Sequence, residues 1–159
     1  MLRVLIENDY KSALAGYKAN VACATGMGVA IDDANGKFVL PTAETGLGVY
    51  VVDKARVAEG VSAAKTNFSD YDTQFNAVAA GEFAVLNTFD VGEEFAVDAY
   101  DATTCVAGNA GKYATVGTDG KWKAGTEDID SKYIFVGLHT DAGHTLAHFR
   151  VTDNIGKNS

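Results

Sequence analysis

The apolar residues of the chain occur mostly in short runs, which Gly, Asn and Asp interrupt about every 8–12 residues. This spacing is typical of an all-β sandwich or barrel, in which tight turns join short strands. The clearest hairpin covers residues 28–40, where two apolar runs flank Asn35-Gly36, a pair that readily adopts the positive φ of a tight turn. Pro41 then ends the second strand, because a proline cannot donate a backbone hydrogen bond.

Strands are also predicted in the rest of the chain. Residues 47–53 alternate, which puts Val49, Val51 and Asp53 on one face and Tyr50 and Val52 on the other. Other pairs of runs flank turn residues: 82–89 and 94–100 around 91–93, 112–116 and 121–123 around 117–120, and 133–138 and 145–151 around 141–143. We therefore expect a mainly β fold, an antiparallel, hairpin-rich barrel or sandwich.

One short helix is predicted over residues 70–79. Ser69 is suited to cap it, Asp70 and Asp72 lie in its first turn, and Gly81 follows its end. Its apolar stripe consists of Tyr71, Phe75 and Val78.

A chain of 159 residues fits one domain, and we expect a single β domain over residues 1–159. Residues 35–38 and 119–122 repeat one turn that is followed by a lysine and an aromatic residue, so an arrangement of two packed β lobes stays open. Residues 1–17 begin with an apolar run and are interpreted either as an arm that attaches to a partner or as an ordinary first strand.

The charge of the chain disfavours two kinds of partner. It has 21 acidic and 13 basic side chains, a formal net charge of −8. Such an acidic surface argues against sequence-independent binding to nucleic acid and against an anionic membrane. No run approaches the ~18 apolar residues of a membrane span, and the run before Glu7 is too short for a signal peptide. We expect synthesis in a cytoplasm and neither of these partners.

Cys23 and Cys105 are the only cysteines and lie far apart in the sequence. A disulfide between them would close a long loop. Two free, partly buried thiols in a reducing compartment are the favoured interpretation.

The three histidines, His139, His144 and His148, lie within ten residues of one another and are the strongest hint of chemistry. On a strand, His144 and His148 share a face, as ligands of a transition metal would. Their spacing matches no established ligand pattern, however, and we favour strand histidines without a metal.

Paired carboxylates occur at Asp70 and Asp72 and at Asp128 and Asp130, but neither pair continues as a calcium loop. The first pair is better explained as first-turn helix acids and the second as part of a solvated loop. The Gly-x-Gly segments at residues 26–28 and 46–48 lack the helix start of a phosphate loop. We therefore predict no enzyme, no catalytic residues, no cofactor and no metal site.

Several of these segments resemble the small head decoration, or cement, proteins of tailed bacteriophages. The resemblance rests on the hairpin from Gly28 to Lys37, on the Ala80-Gly81-Glu82 and Val91-Gly92-Glu93 turns before strands, and on the final Phe135–Leu138 strand. It spans residues 20–151.

The resemblance implies a β-barrel or β-tulip fold and a structural role in the virion. Such proteins bind the major capsid protein on the outer face of the head, commonly as homo-trimers, and stabilise it. The alternative is a β-sandwich binding module of a phage fibre or bacterial surface protein, which would recognise carbohydrate through an aromatic platform such as Trp122 with Tyr113. A capsid or tail-tube subunit is a further structural alternative.

Overall fold

The computed structural model describes residues 1–6, 14–54 and 76–159, and these residues form a mainly β protein. A 3₁₀ turn at Ala107–Asn109 is the helical element named in these ranges. The strands are β1 (Leu2–Ile6), β2 (Lys18–Ala19), β3 (Cys23–Ala24), β4 (Gly28–Asp32), β5 (Lys37–Val39), β6 (Tyr50–Asp53), β7 (Ala77–Val78), β8 (Val85–Asn87), β9 (Glu94–Val97), β10 (Tyr113–Val116), β11 (Trp122–Ala124), β12 (Ser131–Asp141) and β13 (His144–Gly156).

The large sheet has six strands in the order β1-β9-β13-β12-β10-β11, and every neighbouring pair is antiparallel. Its longest part is the β12–β13 hairpin, whose turn consists of Ala142 and Gly143, both with positive φ. β1 pairs with β9, so the first residues of the chain lie at the edge of a sheet formed from its second half.

The small sheet has five strands in the order β2-β5-β4-β6-β8. Backbone hydrogen bonds also connect the two edges of this sheet with the chain around them. Leu86 of β8 bonds to Leu14 in both directions, and the N–H of Ala19 in β2 donates to the backbone oxygen of Glu82. The sheet therefore closes on itself, which leaves few unpaired backbone groups along these edges.

Two hydrophobic cores lie in this arrangement, and β6 contributes to both. Val51 is fully buried in the first core, and the next residue, Val52, is fully buried in the second. Since neighbouring side chains of a strand point to opposite faces, one short strand forms a wall of each core. The first core contains Leu2, Val49, Val51, Phe89, Phe95, Val97, Cys105, Ala114, Val116, Trp122, Ala124, Tyr133, Phe135, Ala147, Phe149 and Val151. The second contains Ala19, Val29, Phe38, Val52, Val78, Ala84 and Leu86.

Trp122 lies at the centre of the first core. Its ring packs edge-on against Tyr133 and tilted against Phe149, with 4.9 Å between the ring centroids in each case. Its indole Nε1–H donates to the backbone oxygen of Gly26 over 3.1 Å, which satisfies the polar atom of a fully buried side chain.

The two sheets meet closely at two glycines. A Cβ atom at Gly28 would lie 2.5 Å from a methyl group of Val116, and one at Gly46 would lie 2.2 Å from Cβ of Ser131. Any larger residue would push the sheets apart. Gly28 and Gly46 thus serve close packing.

Most predicted hairpins are confirmed. β4 pairs with β5, β10 with β11, and β12 with β13. The alternation of residues 47–53 is also confirmed, because Val49 and Val51 enter the first core while Val52 and Tyr50 pack in the second. The hairpin expected from residues 82–89 and 94–100 is wrong: β8 pairs with β6 in the small sheet, and β9 pairs with β1 and β13 in the large one. The turn residues between β8 and β9 therefore connect the two sheets and do not join two paired strands.

The helix predicted over residues 70–79 lies mostly outside the described residues. At its end, Ala77–Val78 is strand β7, which pairs with Cys23–Ala24. At the N-terminus, Leu2–Ile6 is strand β1, and residues 7–13 lie outside the described ranges. The two repeated turns place their aromatic residues in different cores, Phe38 in the second and Trp122 in the first.

Because β6 belongs to both cores, we expect the two cores to unfold together. Val29→Ala in the second core should cost about 2 kcal/mol of unfolding free energy, for two lost methyl groups and a cavity. Chemical denaturation followed by the fluorescence of Trp122, which reports the first core, and by far-UV circular dichroism should give the same lowered midpoint.

Val151→Ala in the first core is the matched control and should shift both signals in the same way. A Val29→Ala variant that leaves the Trp122 midpoint unchanged while the circular dichroism transition splits would contradict the coupling.

Candidate functional site

The three histidines lie on one face of the large sheet, opposite the aromatic first core. In the β12–β13 register, His139 faces Leu146, Asp141 faces His144, and Gly137 faces His148. Directly opposed residues of an antiparallel pair point to the same side, so His139 joins His144 and His148 there. We call this surface the histidine face; the sequence had predicted the shared face only for His144 and His148.

His148 is held by a carboxylate from the neighbouring strand. Its Nε2 lies 2.8 Å from Oε2 of Glu94 in β9, and both side chains are mostly buried. The ring of His139 stands edge-on to that of His148, with 6.4 Å between the centroids. Nε2 of His148 is therefore engaged by the carboxylate of Glu94.

An ion pair crosses the histidine face. Nε of Arg3 in β1 lies 2.5 Å from Oδ2 of Asp141 in β12, although β9 and β13 separate these strands. Such a contact requires the sheet to curl toward this side. Ala96 and Leu146 on the same face are fully buried, so this face contains apolar side chains shielded from solvent as well.

The geometry of the histidine face favours a structural role for its charges. In the ranges that the structure describes, no three His, Cys, Asp or Glu side chains are placed to hold a metal ion. What the face provides is an ion pair, Arg3–Asp141, and a hydrogen-bond contact, Glu94–His148, which join β1 and β9 to the β12–β13 hairpin.

Sequence reasoning missed Arg3 and Glu94. They are the partners of hairpin residues that lie 138 and 54 positions away in the sequence. Arg3 stands out in the sequence as the one charge in an apolar N-terminal run, but its partner follows only from the strand order β1-β9-β13-β12.

Asp128 and Asp130 lie in an exposed loop, as the sequence interpretation expected. Asp128 has a φ of 59° and its Oδ1 lies 3.0 Å from Nζ of Lys157. The other carboxylate pair, Asp70 and Asp72, lies outside the described residues.

Both cysteines are free thiols in separate environments. Cys105 belongs to the first core, and Cys23 is half-buried beside the second. Burial, which disfavours the charged thiolate, raises the pKa of Cys23 to about 11 and that of Cys105 to about 12. Neither thiol is activated as a nucleophile.

The carbohydrate-binding alternative predicted an exposed aromatic platform, and this prediction is wrong for its main residue, Trp122. Trp122 is fully buried in the first core, and the ring of Tyr113 packs against Gly156. The large aromatic side chain that the described ranges do expose is Phe83, at 57% of its surface.

Near the hairpin tip, the outer edge of β12 has no paired strand among the residues that the structure describes. β10 pairs with β12 only at Tyr133 and Ile134, and Phe135 bonds to Gly111 and Lys112. Beyond that point, the described part of the chain contributes no strand to this side of residues 136–140, which we call the hairpin edge. Val136 and Leu138 are exposed there, at 37% and 51%.

Comparison with protein-family models, with curated proteins and with solved structures finds no match to this chain. Within the described ranges, no helix has the length and apolarity to span a membrane. The site geometry must therefore carry any proposal about function.

The raised pKa values predict slow thiol chemistry in the native protein. At pH 8, alkylation by iodoacetamide should be roughly a hundredfold slower for Cys23 and roughly a thousandfold slower for Cys105 than for an ordinary cysteine, and should accelerate about tenfold per pH unit up to pH 10, because only the thiolate reacts. Mass spectrometry of quenched samples measures it. The denatured chain, in guanidinium, is the control and should react at the ordinary rate; rapid labelling of the native protein at pH 8 would refute this assignment.

The Glu94–His148 pair should show a measurable energetic coupling. A double-mutant cycle of Glu94→Gln and His148→Gln, measured by chemical denaturation at pH 7, should give about 1 kcal/mol, since both groups are largely shielded from solvent. The exposed pair Asp128–Lys157 is the comparison, and a cycle of Asp128→Asn and Lys157→Gln should give no measurable coupling. Equal coupling in the two cycles would argue against a special role for the histidine face.

Proposed function

We propose that the chain is a non-enzymatic structural protein of a phage virion, which binds the major capsid protein on the outer surface of the head and stabilises it. It would be made in the host cytoplasm and act as a homo-oligomer. The sequence resemblance to head decoration proteins motivates this proposal, and the mainly β body with its two linked cores is compatible with it.

The observation that carries the proposal is the hairpin edge. An unpaired strand edge with exposed apolar side chains is a template on which an extended segment of another chain adds as a strand. The small sheet closes its edges, whereas no strand of the described ranges pairs with the hairpin edge beside Val136 and Leu138. A surface of this kind suits a protein whose role is to hold neighbouring chains together.

The body behind this edge is suited to repeated, modest contacts. β6 joins two cores, and the Arg3–Asp141 ion pair and the Glu94–His148 contact fix the histidine face, so each copy presents its edge in one geometry. When many rigid copies bind one particle, weak individual contacts add up to large total stabilisation. The net charge of −8 keeps the coated particle soluble and disfavours adhesion to nucleic acid.

The test is binding to undecorated heads of the cognate phage. We expect saturable binding at regular positions, seen by electron cryomicroscopy, and heads that withstand a higher temperature before releasing DNA. Leu138→Asp should weaken binding at least about tenfold, since it places a charge where a strand would pair.

Val91→Asp is the matched control, because Val91 is 56% exposed at the opposite end of the large sheet, and it should bind as the wild type does. Failure of the wild-type protein to bind its cognate heads would refute the proposal.

A further inference from the structure

A second exposed surface combines two lysines with the exposed phenylalanine of the small sheet. Lys18 in β2 faces Lys37 in β5 in parallel register, and on its other side Lys18 bridges to Phe83. Ala19 and Phe38, the next pair along, point into the second core, so these three side chains point outward. We call this transverse set the lysine–phenylalanine row.

The two cations of the row are not neutralised by an ion pair within the described part of the chain. Nζ of Lys18 lies 5.0 Å above the ring of Phe83, and Nζ of Lys37 lies 3.4 Å from the amide oxygen of Asn20. Asp32 faces Lys37 across β4 and β5, but its carboxylate accepts hydrogen bonds from Asn35.

This arrangement is unfavourable for the folded protein alone. Like charges directly opposite each other on neighbouring strands disfavour a sheet, and Phe83, which leaves 57% of its surface exposed, gains only part of the free energy of burial. Among the described residues Asp32 is the acidic side chain directly opposite one of the two lysines, and neither lysine forms an ion pair there. A bound partner that brings negative charge and an apolar group would relieve both costs.

We propose that the lysine–phenylalanine row binds an acidic segment of a partner protein, with carboxylates on Lys18 and Lys37 and an apolar side chain on Phe83. The charge complementarity is local, because the rest of the molecule is acidic and repels such a segment. With the head as the partner, the inference rests on the proposed function, and the row then forms a contact separate from the hairpin edge.

The first experiment compares head binding by charge-reversal variants of equal net charge. Lys18→Glu and Lys37→Glu should each weaken binding to undecorated heads at least tenfold, and Phe83→Ser at least fivefold. Lys121→Glu, at an exposed lysine that forms no ion pair within the described ranges, is the control and should change it less than threefold. Lys18→Glu also turns the like-charge pair into an opposite-charge pair, so its melting temperature should be no lower than that of the wild type.

The second experiment keeps the inference testable without heads. A fluorescein-labelled peptide of alternating glutamate and phenylalanine serves as the probe, and its anisotropy is measured at 20 and 200 mM salt. The wild-type protein and the Lys121→Glu variant should bind it at low salt, and Lys18→Glu and Phe83→Ser should bind at least fivefold more weakly.

The outcomes separate the two proposals. Heads that bind the wild type and every row variant equally overturn the inference and leave the proposed function standing. Heads that bind no form of the protein overturn the proposed function, and the peptide then decides the inference. If the peptide binds equally to the wild type and to the row variants, the inference about the lysine–phenylalanine row is overturned.

Discussion

The strict alternation of side chains along β6 is the constraint on which the rest of the structure depends. Val51 and Val52 are adjacent in the sequence and fully buried in different cores. A shift of one residue in the register of β6 would exchange the two faces, which would place Asp53 and Tyr50 among the wrong neighbours. The hydrogen bonds of Gly26 and Met27 with Val52 hold that register.

The features that sequence could predict are those encoded over short distances. Asn35-Gly36 defines its hairpin because Gly36 adopts a positive φ at little cost, and the alternation from Val49 to Val52 requires only the period of a strand. The strands that pair with β8 and β9 could not be predicted from the sequence, because their pairing depends on contacts between distant segments. Trp122 shows the same limit: a lone tryptophan fits a binding platform or a core equally well until its neighbours are known.

The candidate surfaces follow the same division. The clustering of the histidines was visible in the sequence, but Arg3 and Glu94 were not, since strand order alone brings them to the hairpin. The lysine–phenylalanine row combines residues from three separate segments, and no single stretch of sequence contains its pattern. Surfaces assembled in this way can be identified only when the pairing register of the strands is known.

The pairing of β1 with β9 has a consequence for how the protein is made. Leu2–Ile6 leaves the ribosome well before its partner Glu94–Val97, which follows some ninety residues later, and β13 is made later still. The first strand must therefore wait, with its apolar side chains uncovered, until these partners have been made. Contacts this distant in sequence slow folding, so the large sheet is expected to assemble late and to benefit from a chaperone.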